Sequence, residues 1–288
     1  LRWVLAILFL IGAAVAQVPD VRFHLDLYGS YDAPANNSGT FHFYDPLGDA
    51  STFQISLNID SGLHAYLSER LEQFDHDPSH DPLEQYYVED QGIWRLGKQY
   101  LPFGSGTLVR ENVLAAMGET KLLVENSRLA LAYCDGGVGN QRGVAGRLGG
   151  KLGFSAAIGD RFGISPTSFD VVRSPNASPG IGQGWKYMFG ADGSRNAGKF
   201  TTSGEAVWLL GGETREDLSQ LIWDLKETFH FDSNHWVLAG LSNTSDDHVT
   251  VARLTAHIPW TKAYAIEPLL RYRDGRYYDF ALTVHLRL

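Results

Sequence analysis

Cysteine is almost missing: Cys134 is the single one in 288 residues. An internal disulfide is excluded, and with it the small scaffolds that rely on cross-links. Lysine is scarce, with seven in the chain, and methionine occurs twice. Past the N-terminal run, no segment approaches the ~20 apolar residues of a membrane helix. That excludes spanning by helices but leaves strands, whose signal is weak in each segment. Positive charge is the minority sign: 24 Lys and Arg stand against 33 Asp and Glu, a formal charge of −9. A nucleic acid is therefore not an expected partner. No repeat of 20–50 residues is visible, which argues against a solenoid or propeller.

What is present points to strands and turns. Hydrophobic residues make up 44%, aromatics 12%, and there are 31 glycines, a composition that favours strands and turns over surface helices. The first residues, LRWVLAILFLIGAAVAQ, combine an Arg, a short apolar run and a small-x-small site. They read as a signal peptide over 1–16, cleaved after Ala16, with one domain over 17–288. The expected compartment is outside the cytoplasm.

Apolar and polar residues then alternate in segment after segment. Phe23, Leu25 and Leu27 oppose His24 and Asp26; Phe53, Ile55 and Leu57 oppose Gln54, Ser56 and Asn58. The last stretch sets Phe280, Leu282, Val284 and Leu286 against Ala281, Thr283, His285 and Arg287. Period two is the strand signal. The spacing predicts strands at 21–29, 52–60, 62–74, 83–90, 93–99, 119–125, 127–134, 142–149, 151–159, 184–192, 199–209, 218–227, 235–242, 248–258, 263–273 and 276–288. Clusters such as DAPANNSG, DHDPSHDP and SPNASPGIGQG separate them as turns of unequal length.

A soluble β-sandwich and a membrane barrel both satisfy this pattern, with the apolar face inside one and outside the other. Two features favour the barrel. Trp94, Trp185, Trp208, Trp236, Trp260, Tyr86, Tyr87, Tyr264, Tyr277 and Tyr278 sit near strand ends, as interfacial girdles do. A last strand that pairs with the first would leave no open edge. The expected fold is all-β, a single transmembrane antiparallel barrel of about sixteen strands, with fourteen as the alternative, since even counts are the rule.

The stretch YYVEDQGIWRLGKQYLPFG (86–104) resembles bacterial outer-membrane porins, the phosphate-selective and general porin-like barrels. Leu96, Gly97, Lys98 and Gln99 match the strand end, and Pro102, Phe103 and Gly104 its exit into a loop. The segments 129–159 and 189–211 resemble later hairpins of such barrels. The resemblance implies outer-membrane lipid around the barrel, small hydrophilic solutes or ions in its lumen, and homotrimers as a frequent assembly. It also implies a lumen loop after the strand near 93–99. The segment 105–119, with Arg110 and Glu111, is the candidate constriction; a short surface helix through VLAAM is the alternative.

If apolar faces meet lipid, the opposite faces line the pore. The expected pore-lining residues are Arg70, Arg95, Arg110, Glu111, Arg128, Arg147, Lys151, Lys186, Glu205, Arg253, Glu267 and Arg271. Cations outnumber acids in this set, which suggests a weak preference for anions; the alternative is that the cations pair with lumen acids. Few lysines speak against phosphate specificity.

No enzyme, cofactor or metal is expected. His76, Asp77, His80 and Asp81 carry ligand chemistry, but Pro78 breaks the helix that would align them, so they read as a polar turn. Cys134 lies in no nucleophile motif, and no G-x-S-x-G elbow occurs. The expected function is passive diffusion of solutes. The other readings are a non-conducting barrel acting as adhesin or structural protein, favoured if 105–119 fills the lumen, and a secreted sandwich that binds carbohydrate.

Overall fold

The computed structural model describes residues 20–35, 37–47, 49–71, 83–109, 112–122, 127–136, 141–162, 184–211, 219–245 and 249–288. The proposed leader, and the His and Asp residues of 72–82, lie outside the described residues, as do Arg110 and Glu111.

Strands occur in this order: β1 (Asp20–Pro34), β2 (Thr40–His42), β3 (Thr52–Asn58), β4 (Leu63–Arg70), β5 (Leu83–Asp90) and β6 (Trp94–Tyr100). Then come β7 (Asn112–Lys121), β8 (Arg128–Asp135), β9 (Arg142–Gly149), β10 (Leu152–Asp160), β11 (Trp185–Ala197) and β12 (Phe200–Gly211). The chain continues with β13 (Ser219–His230), β14 (Trp236–Thr244), β15 (Thr250–Pro259), β16 (Tyr264–Arg273) and β17 (Arg276–Arg287). Each long strand pairs antiparallel with the next, and β17 returns to β1, with Leu27 opposite Leu286 and Ser30 opposite Thr283. The ring is a closed barrel of 16 strands, with β2 as a short extra segment beside the upper part of β1. Closure satisfies every edge, which lipid requires.

The side chains fix inside and outside. Tyr187, Phe189, Trp208, Leu221, Leu254, Phe280, Leu282 and Val284 are exposed on the outer surface, while Lys186, Glu205, Asp224, Arg253, Arg271 and Asp279 are buried on the inner one. A soluble sandwich has the reverse polarity, so that reading is excluded. Connections also alternate. The strands flanking 35–51, 71–82, 101–111 and 161–184 end on one side of the barrel, and those flanking 59–62, 91–93, 150–151 and 198–199 on the other. Outer-membrane barrels carry short turns on one side and longer loops on the other.

Two expectations are corrected here. Residues 112–121 form β7, neither a helix nor part of a constriction, and the strand expected at 119–125 begins earlier. Of the expected girdle, Trp185, Trp208, Trp260 and Tyr277 are exposed outside, but Trp236 lines an inner cavity. Tyr87 stacks on Tyr66 and lies beneath the Arg95 guanidinium, on the lumen side.

Candidate functional site

The lumen is shaped by two inward excursions of the chain. The first follows β6. Leu101, Phe103, Leu108 and Val109 are buried against the inner wall, in a cluster with Ala132, Cys134, Ala157, Met188, Val207 and Ile222. The inner face of β7–β13 is apolar at this height, and small residues leave the room. Gly190 is one such place: a Cβ there would lie 2.6 Å from the Phe103 ring. Polar bonds fix the tip. Gly104 N donates to Ser155 Oγ at 2.9 Å. The buried Glu205 carboxylate accepts from Ser105 Oγ at 2.6 Å, Thr107 N at 3.0 Å and Leu108 N at 3.3 Å. Lys226 Nζ donates to Thr107 Oγ1 at 3.1 Å. Gly104 has φ 55, in the left-handed region that glycine tolerates, and its missing Cβ makes way for the Glu205 carboxylate. The segment described as folded inward is therefore 101–109, and 112–119 of the expected 105–119 belongs to the wall as part of β7.

The second excursion interrupts the wall. β2 pairs with β1 at Ser30–Asp32, and β3 pairs with it from Asp26 downward. Between them, residues 43–47 and 49–51 turn into the lumen. Asp45 is buried there, and Leu47 packs against the apolar cluster of the first excursion. Ser51 Oγ accepts from Tyr28 N at 2.8 Å and donates to Phe43 O at 2.5 Å, which pinches the base. Arg271 Nη1 donates to Pro46 O at 3.2 Å.

Among the described residues, two cavities flank Gly106. One, of about 540 Å³, lies between residues 101–106 and the wall of β6–β9, where Arg95, Arg128, Arg147 and Glu119 face it. The other, of about 530 Å³, lies between both excursions and β13–β17, against Asp224, Lys226, Arg253, His257, Glu267 and His285.

The wall charges are paired. Arg253 donates to Asp224 at 2.7 and 2.9 Å and to Ser242 Oγ at 2.7 Å. Lys226 approaches the same Asp224 at 3.3 Å. Arg271 is bonded through two nitrogens to the Asp279 carboxylate. Glu267 lies 2.6 Å from His257 and 3.6 Å from His285, which in turn meets Asp26 at 3.2 Å. Arg95, Arg128 and Arg147 pair with Glu89, Glu119 and Asp192 at 2.6, 2.8 and 2.5 Å. The expected surplus of cations dissolves on inspection, because Glu89, Glu119 and Asp192 face inward and were absent from the expected set. One asymmetry survives: the three guanidinium side chains are 26%, 55% and 28% exposed, their carboxylates 14%, 20% and 6%.

Of the expected pore-lining residues, Arg95, Arg128 and Arg147 gather at one cavity, and Arg253 and Glu267 at the other. Arg271 and Glu205 hold the excursions, and Lys186 is buried on the inner side. Arg70 is half-buried at the end of β4, while Lys151 is exposed in the turn 150–151, beyond the wall. Missed altogether were Asp45 and Ser51. The break between β2 and β3 looks in sequence like one more turn.

An apolar exterior, a polar lumen and a loop folded inward define a porin-type transmembrane barrel. Solved structures agree. The loop-deletion mutant of OmpT, an outer membrane protein of Vibrio cholerae, matches with TM-score 0.65 at 10% identity, over 94% of this chain and 100% of that one. The outer membrane channel DcaP of Acinetobacter baumannii gives 0.63 at 11%, over 94% and 97%. An anion-selective porin from Comamonas acidovorans gives 0.60 at 12%, over 93% and 99%. At these identities the likeness speaks to fold alone. No protein-family model matches the sequence, and no curated protein does.

Proposed function

We propose that the chain is an outer-membrane porin through which small hydrophilic solutes and ions diffuse, without chemistry and without a cofactor. The observation that carries this reading is the polar lumen narrowed, but not filled, by 101–109, with cavities of about 540 and 530 Å³ on either side of Gly106. A weak anion preference goes with it. The Arg95, Arg128 and Arg147 heads are more exposed than the carboxylates that neutralise them, and a paired guanidinium keeps spare N–H donors. Homotrimers are part of the proposal, by analogy with porins.

A non-conducting barrel is the second reading, favoured by the presence of two inward excursions rather than one. Planar-bilayer recording across a salt gradient separates them. Discrete steps with a reversal potential on the anion side support the proposal. Steps with cation preference keep the pore and remove the anion preference. Silence from folded, detergent-extracted protein favours the non-conducting barrel.

A further inference from the structure

A third cavity, of about 210 Å³, lies between residues 49–50 and the wall of β1 and β3–β5. It is smaller than the ~300–1,000 Å³ of a drug-sized pocket, and suits one ring-sized solute. Its lining is built of hydroxyls, amides and carboxylates. Gln54 comes from β3, Tyr66 and Ser68 from β4, Glu84 and Gln85 from β5, and Tyr100 from the end of β6. Packing and hydrogen bonds hold several of them in place. The Tyr66 ring stacks on Tyr87 at 5.1 Å. The Tyr100 hydroxyl donates to Glu84 Oε1 at 2.5 Å, and Gln54 Nε2 donates to Thr52 Oγ1 at 3.0 Å. Gln85 differs. It is only 9% exposed and borders the cavity, yet its amide makes no hydrogen bond among the described residues. A buried amide without a partner costs free energy, and a polar group held in the cavity would supply that partner.

We propose that this cavity binds a neutral polyhydroxylated solute, one monosaccharide ring, on its way through the lumen. This rests on reading the lumen as a solute path, and names a solute class for it. Charge and donor chemistry choose the class. An anion would meet the carboxylates of Asp26, Asp49 and Glu84, and none of the described lining residues is a Lys or Arg. An ammonium ion only donates, so it would leave the Gln85 NH2 group without an acceptor. A sugar hydroxyl both donates and accepts, so it can meet the Gln85 amide at either end and donate to the Glu84 carboxylate. The Tyr66 ring adds an apolar surface beside the hydroxyl at its tip, the match for the C–H face of a sugar ring. Since the ring stack and the two hydrogen bonds already fix these side chains, little freedom is lost in ordering them around a solute.

The test uses the folded, full-length barrel in an amine-oxide detergent, which carries no sugar head group. Saturation transfer from the protein's aromatic protons to methyl α-D-glucopyranoside is read by NMR as the glucoside is titrated. The expected dissociation constant is on the order of millimolar, as for a small ligand with few contacts. Gln85→Met, of similar shape but without the amide, should weaken binding about three- to tenfold, the worth of one neutral hydrogen bond. Should that variant not fold, Tyr66→Phe carries the test: it keeps the ring and its stack, removes only the hydroxyl, and should weaken binding too. Lys151→Ala, in the turn beyond the wall, should leave the constant unchanged. No transfer from the folded barrel, equal transfer from the urea-unfolded chain, or an unchanged constant in the folded Gln85 variant overturns the site. Displacement of the glucoside by equal succinate or ethylammonium would assign the cavity to an ion and overturn the sugar. Binding is read without conduction. A silent bilayer would therefore defeat the porin reading and leave the site, while conducting channels without transfer would keep the porin and defeat the site.

Discussion

The inner surface has two kinds of wall. Over β7–β13, near the end with the long connections, inward positions are Val113, Ala115, Ala132, Cys134, Ala157, Met188, Val207 and Ile222. Over β13–β17 they are Asp224, Ser242, Arg253, Thr255, Glu267, Arg271, Thr283 and His285. Both walls have the same period and the same apolar exterior. The first can exist only because 101–109 covers it, since bare apolar wall in a water-filled lumen would lose its burial energy. The second satisfies itself through ion pairs and needs no cover. The barrel thus seats 101–109 on its apolar wall, while the polar wall meets the second excursion only in part, at the Arg271–Pro46 bond.

The largest expected effect comes from emptying the seat. Phe103→Ala removes the buried ring beside Gly190 and should cost about 3–5 kcal/mol of loop docking. Limited proteolysis should then cut within 101–109 while the barrel remains resistant; an uncut loop would mean the seat is held by polar bonds alone. Next is the polar wall. Asp224→Asn leaves Arg253 and Lys226 without their shared carboxylate and should cost about 3 kcal/mol of barrel stability in urea unfolding. Arg253→Met should cost less, because Asp224 keeps Lys226; equal losses would refute that sharing. Glu205→Gln retains an acceptor but not the charge, and should weaken loop docking by about 1–2 kcal/mol, read by the same proteolysis. Smallest is the change at the guanidinium row. Arg147→Ala exposes Asp192 and should move the reversal potential a few millivolts toward cations; a shift toward anions would remove the row from the selectivity argument.

Much of this was legible. Phe280, Leu282 and Val284 face out and Thr283 and His285 face in, as their alternation implied. Lys186, Glu205, Arg253 and Arg271 were placed inside by the same logic. The segment NVLAAM failed for a physical reason. On β7 both faces are apolar, Leu114 toward lipid and Val113 and Ala115 toward the loop seat, so period two disappears and a helix looks plausible. Trp236 misled in the opposite way: an aromatic at a strand end reads as girdle, yet this one stacks on His257 inside the lumen. The inward acids Glu89, Glu119 and Asp192 were passed over because each stands at the end of an expected strand (83–90, 119–125 and 184–192), where a carboxylate reads as part of a turn. Seating a loop on Ala and Gly left a trace in sequence, the small-residue run through 129–159, which the resemblance recognised without explaining.

The clasp between Ser105 and Glu205 spans a hundred positions of chain, and that distance governs assembly. β6 and its loop cannot supply the seat for Phe103 or the partners of Thr107, which come from β10–β13. Leu101, Phe103 and Leu108 must wait, uncovered, until β10–β13 are in place. Contacts this remote are slow to form and leave sticky surface exposed in the interval. The inward loop is therefore held by the assembled wall rather than by its own neighbours, since β6 and β12 carry the two ends of the clasp.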